Sequence, residues 1–124
     1  MSRSVDVASR QFDKGRRLRR RAEFQKVFDS GQRIRGRFLT LLVAGGQGST
    51  TRLGIVASRK LGDSVRRNRA KRLIREIFRR NHVAAGFDVV VVPKRELLDA
   101  SLTALEADYR HNLERSLRQR ARSG

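Results

Sequence analysis

From Asp63 to Arg80 the chain sets eight basic side chains, Arg66, Arg67, Arg69, Lys71, Arg72, Arg75, Arg79 and Arg80, against two acids, Asp63 and Glu76. Such a cluster suits one kind of chemistry, the neutralisation of a polyanion, phosphate by phosphate. Spacing decides how it is presented. Ala70, Leu73, Ile74, Ile77 and Phe78 recur at i, i+3, i+4, i+7 and i+8, the pattern of a helix that buries one face. At about 100° per residue, Asn68, Arg72, Arg75 and Arg79 fall on the opposite face, with Lys71 on one flank and Arg69 and Arg80 on the other. Gly62 breaks the preceding structure, and Asp63 or Ser64 can cap the first turn.

This charge works against the helix that carries it. Arg66 and Arg67 crowd the N-terminal turn, where the helix dipole disfavours cations by ~0.3–1 kcal/mol each. Arg67/Lys71, Lys71/Arg75 and Arg75/Arg79 are like-charge pairs at i, i+4, each costing ~0.2–0.5 kcal/mol. A merely solvated face normally mixes signs. One so lopsided fits a polyanion partner better.

A second candidate lies upstream. The run Arg16-Arg17-Leu18-Arg19-Arg20-Arg21 leads into a short helix expected over Ala22–Ser30, followed by Gly31 in a position that tolerates left-handed backbone. Phe24, Val27 and Phe28 stand at i, i+3 and i+4. The rings can pin the helix to a sheet, or offer π-faces to unpaired bases while neighbouring arginines hold phosphates. Spacing alone favours packing.

Catalytic and metal chemistry find no comparable cluster. His82 and His111 lie in different elements, and Glu23, Asp29, Asp63, Asp88 and Asp108 are scattered, whereas a two-metal site gathers its carboxylates. No catalytic residue and no metal ligand is therefore assigned to the protein. Gly45-Gly46-Gln47-Gly48-Ser49-Thr50 lacks the Gly-Lys-Ser/Thr of a phosphate loop.

The whole composition agrees with the arginine helix. Thirty Lys and Arg against twelve Asp and Glu give a net charge of +18 over 124 residues, an excess that points to nucleic acid. A membrane is the other large polyanion, yet the apolar run Val89–Val92 is far short of the ~20 residues of a span. The absence of cysteine excludes a disulfide scaffold and is compatible with a reducing cytoplasm. The opening MSRSVDVASRQFDKG lacks the apolar core of a signal peptide, so export is not expected and the cytoplasm is the expected location.

Arg67-Asn68-Arg69-Ala70-Lys71-Arg72, followed by Leu73-Ile74-Arg75-Glu76, resembles the signature helix of the bacterial ribonuclease P protein subunits. Ser58-Arg59-Lys60-Leu61-Gly62 and Phe24-Gln25-Lys26-Val27-Phe28 with Gly31 are similar to that family in the same order, and the likeness runs from about Arg17 into the C-terminal helix. The resemblance implies an RNA-binding accessory subunit of the endoribonuclease that removes the 5′ leader of precursor tRNA. Its catalyst is a partner RNA, whose phosphates hold most of the Mg2+. Arg66, Arg67, Asn68, Arg69, Lys71, Arg72 and Arg75 would contact the catalytic RNA; Phe24 and Phe28, with Arg59 and Lys60, would take the single-stranded leader. The chain departs from the family at Leu41 and Leu42, where the second strand often carries an aromatic, so no third stacking ring carries over. Neither DNA nor a membrane is an expected partner. A ribosomal or other structural RNA-binding protein shares the charge and can share the topology, and is the alternative.

The elements that must position these residues follow from periodicity. Residues 1–15 read as a flexible basic tail, 16–120 as one α+β domain and 121–124 as a frayed end, the fraying beginning in the basic stretch Arg115–Arg122. Gln32–Arg37 alternates Ile34 with arginines, a strand with one basic face. Phe38–Ala44 is apolar on both faces apart from Thr40 and should be central. Arg52–Ser58 is expected to pair back on it as a hairpin. Phe87–Val92 is a β-branched run ended by Pro93, and Leu98, Leu102, Leu105, Tyr109 and Leu113 mark a last helix, with Tyr109 at the core edge. The expected order is α-β-β-β-α-β-α, a mixed four-stranded sheet packed with helices. To this the family resemblance adds a ribosomal-protein-like fold with a left-handed β-α-β crossover.

Overall fold

A computed structural model of the chain describes residues 17–123 other than 47, 49, 82, 84 and 85. The tail over 1–15, His82 and Gly124 lie outside the described residues. The elements appear in the order the periodicities predict: α1 (Arg21–Ser30), β1 (Gln32–Arg35), β2 (Leu39–Gly45), β3 (Arg52–Ile55), α2 (Ser64–Arg80), β4 (Phe87–Pro93) and α3 (Leu102–Ser123). Short 3-10 segments cover Arg59–Leu61 and Arg95–Asp99.

The strands join in one mixed sheet ordered β1-β2-β4-β3. β4 is antiparallel to β2 and parallel to β3, so the expected β2–β3 hairpin does not form. The reason lies in Val89–Val92. A strand apolar on both faces is most stable with a neighbour on each edge, and β4 takes the place between β2 and β3 that a hairpin would close. Parallel β3 and β4 then need a crossover, and α2 supplies it.

Alternation along the strands divides the apolar residues between two layers. On one face Leu39, Leu41, Val43, Leu53, Val89 and Val91 meet Ala70, Ile74, Ile77 and Phe78 of α2 and Leu105, Tyr109 and Leu113 of α3. Tyr109 is fully buried, in the middle of this layer rather than at its edge, and burial pushes its phenol well above the usual range. On the other face Leu42, Ala44 and Val90 lie under Val27 of α1 and Leu18, with Phe24 packed against them.

Local boundaries differ where turn chemistry overrides periodicity. Gly31 is extended (φ −79°), not left-handed, because the chain passes straight from α1 into β1. Gly62 is the left-handed residue (φ 120°), between the Arg59–Leu61 turn and α2. Asp63 provides the α2 cap, its Oδ1 accepting from Arg66 N at 3.0 Å. Leu98 falls in the 3-10 segment rather than in the last helix, which begins where Ser101 Oγ accepts from Ala104 N at 3.1 Å. That helix stays regular through Arg115–Arg122, the stretch expected to fray.

Polar ties fix α1 to the sheet. Arg52 of β3 donates to Glu23 Oε2 at 2.6 Å and, through two nitrogens, to Asp88 Oδ1 and Oδ2 at 2.9 Å each. Asp88 is 2% exposed, so its charge is balanced by a forked partner rather than by water. Glu23 Oε1 also accepts from Arg20 N at 3.0 Å and Arg19 N at 2.9 Å, holding the helix entry. The amide of Arg20 and then that of Arg19 lower the Glu23 pKa; burial opposes them, Arg52 assists, and the result is about 2 against an ordinary 4.5. The native carboxylate thus stabilises the fold fully above about 4.5, and that contribution is lost as pH falls towards 2. A Glu23→Gln variant should melt below wild type at neutral pH, and the gap should close on acidification. Melting temperatures measured down to pH 2 check this; a gap independent of pH would contradict it.

Candidate nucleic-acid interface

The α2 face builds up as its spacing requires, but its arginines are not equivalent. Ala70, Ile74, Ile77 and Phe78 are buried, and Asn68, Arg69 and Arg72 are exposed on the other side. Lys71, Arg67 and Arg75 are half-buried. Arg66 folds back so that its Nε donates to Leu61 O at 2.9 Å, which ties it to the lead-in turn. Arg67 Nε is shut from solvent with no hydrogen-bond partner. At the far end Arg79 pairs with Glu76 and Arg80 with Glu106 of α3 at 3.3 Å. A third acid, from another element, therefore relieves a charge that the helix sequence alone leaves unbalanced. Among the described residues Asn68, Arg69, Lys71 and Arg72 have no ion-pair or side-chain hydrogen-bond partner, and they form the open middle of the face.

A second surface lies across the sheet. Where α1 stops covering the strands, Phe28, 37% exposed, stands beside a groove of about 470 Å³. Thr40, Leu42, Val56 and Val92 lie along it, with Arg33, Arg35 and Lys94 as the basic groups. Register explains the placement: Arg33 pairs with Leu42 and Arg35 with Thr40, so all four project to the same face. Thr40, Val92 and Lys94 also belong to an adjoining space of about 640 Å³ that reaches Lys60 and Arg95, with Glu96 as an acid there. Lys94 is held by a 2.6 Å hydrogen bond from Nζ to Gly36 O.

The four residues expected on a leader surface are treated differently. Phe28 and Lys60 reach these spaces. Phe24 is half-buried over β3, where a Cβ on Gly54 would stand 2.6 Å from its ring, so Gly54 is what lets the helix approach. Arg59 is exposed on the 3-10 turn, away from both groove linings. Packing and open-ring roles, expected of both phenylalanines, are thus divided between them. Of the two leucines standing where the family often has an aromatic, Leu42 borders the groove and Leu41 belongs to the opposite layer. Sequence reasoning missed Thr40, Val56, Val92, Lys94 and Arg95. Arg33 and Arg35 had a signal in their alternation with Ile34, but nothing located the surface they faced.

The sequence model of the family described as Ribonuclease P matches residues 12–117, nearly the whole chain. The chain belongs to the ribonuclease P protein family. The ribonuclease P protein component of Thermotoga sp. (strain RQ2) is 41% identical over 88 residues, covering 69% of this chain and 75% of the relative. That of Desulfatibacillum aliphaticivorans is 34% identical over 107 residues, covering 85% and 91%. The solved RNase P protein from Thermotoga maritima superposes with a TM-score of 0.73 at 35% identity, over 80% of this chain and 96% of that one. Ribonuclease P membership implies a share in an endoribonuclease complex that processes tRNA. Among the described residues no helix is long and apolar enough to cross a membrane.

The two classes of arginine on α2 predict different variants. Arg69→Ala or Arg72→Ala should weaken binding to structured RNA and leave the melt unchanged. Each should also reduce the slope of log affinity against log salt by roughly 0.7–0.9 for every phosphate it no longer neutralises. Arg66→Ala should instead lower the melting temperature by freeing the Leu61 carbonyl. Titrations at several salt concentrations beside thermal melts separate the two; unfolding by Arg69→Ala or Arg72→Ala would make those residues structural.

Proposed function

We propose that this chain is the protein subunit of ribonuclease P, acting in the cytoplasm and binding two RNA segments on opposite sides of its sheet. The α2 face, centred on Asn68, Arg69, Lys71 and Arg72 and continued by Arg67 and Arg75, neutralises phosphates of the catalytic RNA. The groove beside α1 takes the single-stranded 5′ leader of precursor tRNA. Cleavage of the phosphodiester belongs to the RNA, whose phosphates hold the Mg2+, and the protein's part is to hold catalyst and leader together.

The observation that carries the leader assignment is the composition of the groove. Phe28 offers an open ring beside an apolar floor, and Arg33, Arg35 and Lys94 stand around it. A single strand presents the matching pattern of unstacked bases on one side and phosphates on the other. Lys60 and Arg95 extend positive charge along the same path.

Phe28→Leu tests this, because leucine keeps apolar packing on the sheet but has no π-face. A stacked base is worth ~1–3 kcal/mol, so the affinity ratio of precursor to mature tRNA should fall by roughly fivefold or more. Assembly with the catalytic RNA, measured at the same salt and Mg2+ concentration, should be unchanged. An unaltered ratio would remove Phe28 from leader binding and make it a packing residue.

A further inference from the structure

Among the described residues, α1 sits on the smaller of the two apolar layers. Five buried apolar residues among those described, Leu18, Val27, Leu42, Ala44 and Val90, make the layer that joins it to the sheet, against fifteen in the layer shared by α2 and α3. Apolar attraction is also non-directional. It holds a helix near a sheet without fixing its rotation or its position along the strands.

Phe24 against Gly54, the Leu18 N to Leu53 O bond and the passage into β1 at Gly31 set part of that direction; the polar part comes from one place. Among the described residues, the side-chain hydrogen bond that joins α1 to the sheet is Arg52 to Glu23; Gln25–Asp29 and Lys26–Ser30 stay within the helix. Arg52 is itself immobilised by its fork on buried Asp88. Glu23 is locked by the amides of Arg19 and Arg20. The guanidinium is therefore a fixed post in β3, and the first turn of α1 hangs on it.

The register separates post from groove along the strands. Arg52 and Asp88 are paired with each other, and Asp88 with Ala44. Thr40 and Val92, at the groove, are paired four residues further along β2 and β4. Phe28, five residues beyond Glu23 on α1, stands at the groove. On a helix whose side chains reach about 5–6 Å from the axis, a 20° rotation displaces a ring by about 2 Å, enough to pull it off a stacked base.

We infer that the Glu23–Arg52–Asp88 network is a positioning device for leader binding: it fixes the rotation of α1 and so aims Phe28 at the groove. This rests on the leader role proposed for the groove. None of the three residues lines the groove, so their effect on substrate has to pass through α1.

The test compares Glu23→Ala, Glu23→Gln and Phe28→Leu in the assembled enzyme, with precursor and mature tRNA as ligands and catalytic-RNA affinity as the control. Glu23→Ala leaves the Arg52–Asp88 fork intact, so Asp88 keeps its partner. It should lower the precursor-to-mature affinity ratio about fivefold, equivalent to roughly one stacked base, without changing catalytic-RNA affinity. Glu23→Gln keeps one oxygen for the Arg19 and Arg20 amides but turns its NH2 towards the Arg52 guanidinium, donor against donor, so it loses the tie to the post and should lower the ratio as well. An unchanged ratio in Glu23→Ala, with Phe28→Leu still defective, would overturn the positioning role and leave the leader assignment standing. An unchanged ratio in Phe28→Leu would remove both. Weaker catalytic-RNA binding by Glu23→Ala, or a wild-type ratio in Glu23→Gln, would overturn the positioning role.

Discussion

Val89, Val90, Val91 and Val92 sit on the strand that hydrogen-bonds along both edges, and successive side chains must point to opposite sides of it. Much of the molecule depends on that alternation. Val89 and Val91 close the layer under α2 and α3; Val90 lies beneath α1, and Val92 is left at the groove. A sheet covered completely on one face and only partly on the other yields a stable platform and an open surface at once. The uncovered part arises because α1, at ten residues, is too short to cover the strands.

The same division handles the charge. A chain at +18 repels itself unless its bases are spread or paired, and here they are sorted by task. Arg52 is neutralised inside the fold by Glu23 and Asp88. Arg79 and Arg80 are matched by Glu76 and Glu106, and Arg66 closes a turn. Positive charge stays concentrated in the run Arg16–Arg21, in the stretch Arg115–Arg122, and in the two regions assigned to RNA, the middle of α2 and the basic side chains of the groove. Coulomb repulsion persists in those two regions because removing it would also remove the attraction for phosphate.

How far this was legible in the sequence depended on whether a property was local. The α2 helix, its buried stripe and its basic face follow from 3.6-residue spacing, and the structure keeps them. The basic alternation of β1 was equally plain. Strand pairing was not, because β2 and β3 are neighbours in sequence, and only the need of Val89–Val92 for two partners separates them. The phenylalanines show the same limit. Spacing gives Phe24 and Phe28 nearly the same direction, and it takes Gly54, thirty residues downstream of Phe24, to seat one ring while leaving the other open. The groove draws on α1, β1, β2, β4 and the segment after β3. No window of sequence contains it.

In the proposed function the two faces of one sheet serve two different RNA segments. The chain has no cysteine, so Phe28→Cys and Arg69→Cys each offer one attachment point for a short photo-crosslinker. Crosslinking in the assembled complex with precursor tRNA, followed by mapping of the modified nucleotides, reads both faces directly. Position 28 should label the 5′ leader and position 69 the catalytic RNA. Leader nucleotides found at position 69, or catalytic RNA in place of leader at position 28, would contradict that assignment.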